Sequence, residues 1–259
     1  VALLVMTNSI ADMQPLRRYN FVAAMVHTVQ GVIILVLANG FSLPVRGSFM
    51  TGPPGTTARK VEVLFSIRTA WAVAAFLFLS AIAHFLVAGP FWNRYTHQLS
   101  LSRNPYRWAE YSISSSIMIL LIAQLTGIDD IAALIGLVGV NAAMIGFGWL
   151  QERFEKPGGG WWPFGIGCFA GIVPWIAISI YLASPGTAQG APGFVYGIFF
   201  SLFFFFNIFA LNQWLQYRQI GRWRDYLYGE RVYITLSLVA KSLLAWQIFA
   251  SALASASVH

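Results

Sequence analysis

The chain has 259 residues, 58% of them hydrophobic and only 10% charged, against about 25% charged in a typical soluble domain. It is therefore an integral membrane protein, and several helices laid across a bilayer leave no length for a sizeable soluble domain. The formal charge of +7 is assigned to headgroup anchoring rather than to nucleic acid, because the arginines cluster at the ends of apolar spans.

In chain order, the N-terminal VALLVM is too short for a signal h-region and is soon followed by Asp12, so no cleaved signal is expected. Apolar runs then predict transmembrane helices at about 19–38, 66–89, 107–125, 131–150, 162–183, 194–217 and 232–254. Glycine and proline punctuate the connections: Gly89-Pro90, Asn104-Pro105, Pro157-Gly158-Gly159-Gly160, Ser184-Pro185-Gly186 and Pro192-Gly193. Only the first connection, 39–65, is long. Its Gly52-Pro53-Pro54-Gly55 turn between 41–50 and 56–64 suggests a short β-hairpin. The expected fold is all-α, a single seven-transmembrane helix bundle over 1–259 with an extracellular hairpin between the first two helices. Cys168, the single cysteine, lies in an apolar run and is read as a packing residue.

Seven spans put the termini on opposite sides. Eleven basic residues fall on the N-terminal side (Arg17, Arg18, Arg94, Arg103, Arg107, Arg153, Lys156, Arg218, Arg222, Arg224, Arg231). Four fall on the other (Arg46, Arg59, Lys60, Arg68), with Lys241 set aside. The positive-inside rule then places the N-terminus in the cytoplasm and the C-terminus outside.

Within this bundle one residue breaks the pattern. Lys241 stands near the middle of the last apolar run, where a lysine costs roughly 2.5–3.5 kcal/mol on insertion scales. Its partner is expected to be Glu110, the acidic residue lying well inside another span. Lys241 lies about ten residues into its span, roughly 15 Å at helical rise, and its stem leans back toward the half where Glu110 sits. Ser237 is one turn before the lysine and Ser114 one turn after the glutamate. His27, Gln30 and His84 fall at similar depth in the first two spans, which suggests an internal polar cavity on the cytoplasmic side of Lys241. Glu152, at the end of the fourth span, reads as interfacial. Ala132, Gly136, Gly139 and Ala143 on that span permit close helix approach.

A lone lysine in the seventh helix facing a carboxylate in the third resembles a retinal-binding rhodopsin. The pattern of ordinary microbial rhodopsin pumps is not matched: Ser237 stands where they carry aspartate, Leu121 where proton pumps carry a second carboxylate, and the sixth-helix Trp-x-x-Tyr-Pro is absent. The chain instead resembles heliorhodopsins over essentially its whole length. The resembling pieces are RRYNFVAAMVHTVQG, AIAHF, WAEYSISSSIM, NAAMIGFGWLQE and SLVAKSLLAWQ. That family shares the inverted orientation to which the basic residues point.

The resemblance implies all-trans retinal held by Lys241 as a protonated Schiff base, with Glu110 as counterion. It also implies a polar network of Ser237, Ser114, His27, Gln30 and His84. Met118, Asn141, Met144, Phe206 and Trp246 are candidates for the retinal wall. A homodimer through the fourth helix and a cytoplasmic signalling partner follow from the same likeness. The expected function is light sensing without ion pumping. A proton-coupled transporter using Glu110, His27 and His84, or a light-gated channel, are the alternatives. No nucleophile–base or metal-ligand constellation argues for an enzyme or a bound metal.

Overall fold

The computed structural model of the chain describes residues 13–183 and 190–256, with side chains to residue 250. The VALLVM stretch and the Ser184-Pro185-Gly186 turn lie outside the described residues. Among the rest, seven helices are long and apolar enough to cross a membrane. In chain order they are α1 (Gln14–Val36), α2 (Thr69–Ala88), α4 (Pro105–Leu125), α5 (Ile131–Phe154), α6 (Trp162–Leu182), α7 (Gly193–Arg218) and α8 (Tyr226–Ala256). A short helix, α3 (Trp92–Ser100), lies between α2 and α4, and a 3₁₀ turn, Gly221–Arg224, leads into α8.

Local chemistry fixes several of these boundaries. Asn104 caps α4, its side chain accepting from the Arg107 backbone N–H at 3.1 Å, and Pro105 occupies the first turn where no N–H is needed. Asp130 caps α5 through the backbone N–H groups of Ala132 and Ala133. Between them Gly127, at φ +95°, makes the reversal that returns the chain into the membrane.

The seven helices close into a ring, α1 on α2, α2 on α4, α4 on α5, α5 on α6, α7 on α8, and α8 back on α1. Aromatic packing joins α6 to α7, with Trp175 edge-on to Phe199, Phe203 and Phe206 at 5.3–5.7 Å. One apolar core fills the end of the bundle nearer the hairpin, with Phe76, Leu77, Ile119, Leu121, Ile178 and Leu244 fully enclosed. A second, smaller core at the opposite end seats α3 through Trp92, Tyr95 and Leu99 against Leu16, Val87 and Ile234.

The hairpin is present, with a later second strand than the sequence suggested. Antiparallel strands β1 (Ser42–Met50) and β2 (Arg59–Arg68) pair with a bulge at Val45/Arg46. β2 runs on through Leu64-Phe65-Ser66-Ile67, residues that hydropathy assigned partly to the next helix, so α2 starts at Thr69. An apolar run shorter than a helix does not distinguish strand from helix, and the Val61, Val63, Phe65, Ile67 alternation decides it. Arg46 fastens the hairpin to the bundle: its backbone N–H donates to the Asp129 carbonyl and its guanidinium pairs with the Asp129 carboxylate at 2.7 Å.

Candidate functional site

Lys241 is 4% exposed on α8 and Glu110 8% exposed on α4. Their side chains meet: Lys241 Nζ donates to Glu110 Oε1 at 2.6 Å. Ser80, on α2, completes the group. Its hydroxyl donates to the same Glu110 oxygen at 2.6 Å and accepts from Lys241 Nζ at 2.7 Å. The ammonium also lies 5.1 Å from the centre of the Tyr111 ring, close enough for a cation–π contribution. Two charges in so dry a place are tolerable only because each is paired and further hydrogen-bonded.

Sequence reasoning missed Ser80. The available signal was its spacing: Ser80 and His84 are four residues apart on one face of an otherwise apolar helix, FLFLSAIAHF.

The pair stands between two cavities of opposite character. On one side Lys241 and Ser237 line an apolar cavity of about 810 Å³ of atom-free space, walled by Trp108, Tyr111, Met118, Met144, Phe206 and Phe209. On the other side Glu110 lines a cavity of about 380 Å³ with Asn20, His84, Asn104, Arg107 and Glu230. The predicted polar cavity thus lies toward the N-terminal face.

Of the sequence-derived polar residues, Ser114 and Ser237 line the apolar cavity and His84 the polar one, whereas His27 and Gln30 line neither. Both serine hydroxyls are buried without a hydrogen-bond partner. The neighbouring Tyr111 hydroxyl is committed to the Tyr233 carbonyl at 3.0 Å. His27 is fully buried and stacks on His84 with ring centres 5.8 Å apart, and neither of its nitrogens has a protein partner. His84 Nδ1 is 2.7 Å from Asn20 Oδ1. Gln30 donates to Ser242 at 2.9 Å. On α3, burial pushes the Tyr95 phenol well above its ordinary value, so it stays neutral beside Asn20.

Met118, Met144 and Phe206 line the apolar cavity. Asn141 and Trp246 do not. Asn141 is buried as a clamp between α5 and α4, its amide donating to Ser115 Oγ at 2.8 Å and Ser116 Oγ at 3.1 Å. Trp246 is 38% exposed on the outer face of α8, one helical turn past Lys241 and rotated off its face.

Glu152 is not interfacial. It is 6% exposed and accepts from Arg107 at 2.6 Å, Trp108 Nε1 at 2.6 Å, the Asn104 backbone N–H at 2.8 Å and Tyr226 at 2.9 Å. Arg107 also pairs with Glu230, itself 1% exposed, and lies over the Trp108 and Tyr233 rings. This network seals the N-terminal end of the polar cavity. It also removes Arg107 from the surface count, leaving ten basic residues against four.

A ring of seven membrane helices with an amine–carboxylate pair beside an apolar cavity defines a rhodopsin-type membrane protein. Two solved structures share this fold. The crystal structure of Exiguobacterium sibiricum rhodopsin superposes with a TM-score of 0.64 at 17% identity, over 94% of this chain and 98% of that one. The transmembrane domain of Salpingoeca rosetta rhodopsin phosphodiesterase gives 0.63 at 10% identity, over 93% and 86%. No curated protein matches the sequence. The heliorhodopsin family profile matches residues 16–253, and the chain belongs to that family. It is a multi-pass membrane protein and a retinal-binding rhodopsin, and the cavity beside Lys241 fits that group: one primary amine at its edge, an apolar aromatic wall, and two unpartnered hydroxyls near the amine.

Proposed function

We propose that this protein is a light sensor rather than an ion pump, binding all-trans retinal at Lys241 as a protonated Schiff base with Glu110 as counterion. The observation that carries the reading is the 2.6 Å contact between Lys241 Nζ and Glu110 Oε1 at the edge of the apolar cavity. A primary amine is the side chain that condenses reversibly with an aldehyde, and an acid in contact balances a positive charge at the same atom. Retinal, when bound, supplies visible absorption and a double bond that light isomerises.

The remaining roles belong to the protein. Glu110 holds the charge, and Ser80 fixes the carboxylate's orientation by donating to the oxygen that faces the amine. Ser237 and Ser114 tune the field along the apolar cavity without adding charge. His27, His84 and Asn20 form a polar reservoir on the N-terminal side, where a proton can be shared within a hydrogen-bonded group. The absence of pumping is argued from Leu121: it occupies the place of a pump's second carboxylate and is fully enclosed in the apolar core. With Ser237 also uncharged, no second acid continues a relay on that side of the lysine.

The N-terminus is assigned to the cytoplasm by the basic-residue bias. The homodimer contact is assigned to the outward face of α5, where Ala132, Gly136, Gly139 and Ala143 are exposed and a Cβ at either glycine would meet nothing within 4 Å. A signalling partner would read the cytoplasmic end.

Purified protein mixed with all-trans retinal tests the central claim. A visible band that is lost in Lys241→Ala supports it, and no band in the unsubstituted protein overturns it. Illuminated vesicles test the second part: a pH change abolished by an uncoupler would make the protein a pump.

A further inference from the structure

The exposed flank of α5 carries a second cavity, separate from the Lys241 site. It lies at the N-terminal membrane face, between the α3–α4 connection and the last two turns of α5, and encloses about 1190 Å³ of atom-free space open to the outside. Its composition is divided by depth. At the outer end stand Arg103, Arg153 and Gln98; deeper in the span the wall is Gly146, Phe147 and Leu150.

The charges at its mouth are unspent. Among the described residues neither guanidinium makes an ion pair or a side-chain hydrogen bond. Glu152, the one acid bordering the cavity, is turned inward with its oxygens taken by Arg107, Trp108, Asn104 and Tyr226. The cavity therefore presents two free cations to its occupant and no free anion. Gly146 leaves the wall open, since a Cβ there would meet nothing within 4 Å. Trp149, 41% exposed beside it, is the residue type that marks the membrane–water boundary.

We propose that this cavity is a binding site for an anionic phospholipid, its phosphate held by Arg103 and Arg153 and its acyl chain laid against Gly146, Phe147 and Leu150. The charge selects the headgroup, because basic pockets at the membrane face hold anionic lipids, and guanidinium forks match phosphate oxygens in pairs. The apolar wall selects a lipid over a free anion. The site is independent of retinal binding.

The test is native mass spectrometry of the full chain in detergent containing equal amounts of phosphatidylglycerol and phosphatidylcholine. The protein is expected to retain phosphatidylglycerol preferentially. Arg103→Gln with Arg153→Gln should weaken that preference about thirtyfold, two arginines each contributing what a basic residue does beside an anionic leaflet. Arg222→Gln, which removes an exposed charge elsewhere on the same face, should leave it unchanged. Gly146→Leu keeps both charges and fills the acyl groove, so it should also reduce retention, and unaltered thermal unfolding of each variant shows that the fold is intact. Equal retention of the two lipids, an equal loss in Arg222→Gln, or full displacement by inorganic phosphate would each overturn the proposal. Unchanged lipid retention in the double variant with a shift from dimer to monomer would instead assign the arginines to a second copy of the chain.

Discussion

The Lys241–Glu110 pair makes a stability prediction that needs no chromophore. At 2.6 Å the two charges attract by about 6 kcal/mol at an effective dielectric of 20. Glu110→Gln removes that attraction and leaves the amine 4% exposed with only neutral acceptors, the amide oxygen and Ser80, beside it. The lysine then has an escape, because giving up its proton at pH 7 from an ordinary value of 10.4 costs about 4.6 kcal/mol. The loss is therefore capped near that figure, within the 3–5 kcal/mol or so seen when one member of a buried pair is removed. Glu110→Gln combined with Lys241→Met removes both charges and should recover most of the loss, so the double variant should be more stable than the sum of the singles by at least about 3 kcal/mol. Equilibrium unfolding of the retinal-free protein in detergent measures all four corners. If the double variant is as unstable as the sum of the singles, the two charges are not coupled and the site geometry is wrong.

Three further predictions concern the surroundings of the pair. Arg107→Gln strands Glu152 and Glu230 in a dry interior and should destabilise by roughly 3–5 kcal/mol in the same unfolding assay; Arg107→Lys should not restore it, since one ammonium does not reach two carboxylates as a planar fork does. A Cβ at Gly148 would stand 2.7 Å from the Trp108 ring, so Gly148→Ala should cost about 1–3 kcal/mol, while Gly197→Ala, with nothing within 4 Å, should be no less stable than the parent. With retinal bound, Ser237→Ala should keep the pigment and shift its band modestly, and Glu110→Gln should move the band to the red; an absorption spectrum reads both, and an unchanged Glu110→Gln spectrum would assign the counterion to another group.

The fold was legible because a bilayer simplifies the problem: a buried backbone must be helical, so seven apolar runs became seven helices. What hydropathy could not see were elements that lie along or outside the membrane. The short helix α3, WNRYTHQLS, is polar on one face and buries Trp92, Tyr95 and Leu99 on the other. It falls below the length of any spanning window. The site was legible wherever a residue is costly in lipid, hence Lys241 and Glu110. Serines carry no such signal, because a hydroxyl in a helix can satisfy itself on the carbonyl one turn back, as Ser115 does at 2.7 Å from Tyr111. Wall residues were harder still. Met118 and Trp246 are equally plausible from composition, and only the rotation of their helices puts one inside and the other out.

Hydrogen-bond accounting separates the two buried charged groups by role. Around Arg107 the carboxylates are saturated: Glu152 accepts four bonds, Glu230 is held by Arg107 and Asn104, and only Arg107 Nε and the Tyr233 hydroxyl lack partners. Such a network rigidifies the end of a bundle and resists change. Around Lys241 the balance reverses. Ser114, Ser237, both nitrogens of His27 and one atom of Gln30 are buried and unpartnered within a few turns of one ion pair. Unpaired polar groups in a dry interior are costly, and the gathering of five of the nine such atoms among the described residues around one ion pair is what a site built for a ligand and its solvent requires. Changes near Arg107 should therefore act on unfolding alone, whereas changes near Lys241 should also act on colour. Ser237→Ala, which deletes an unpartnered hydroxyl, is therefore expected to leave the retinal-free protein no less stable than the parent, and a large loss of stability there would break the distinction.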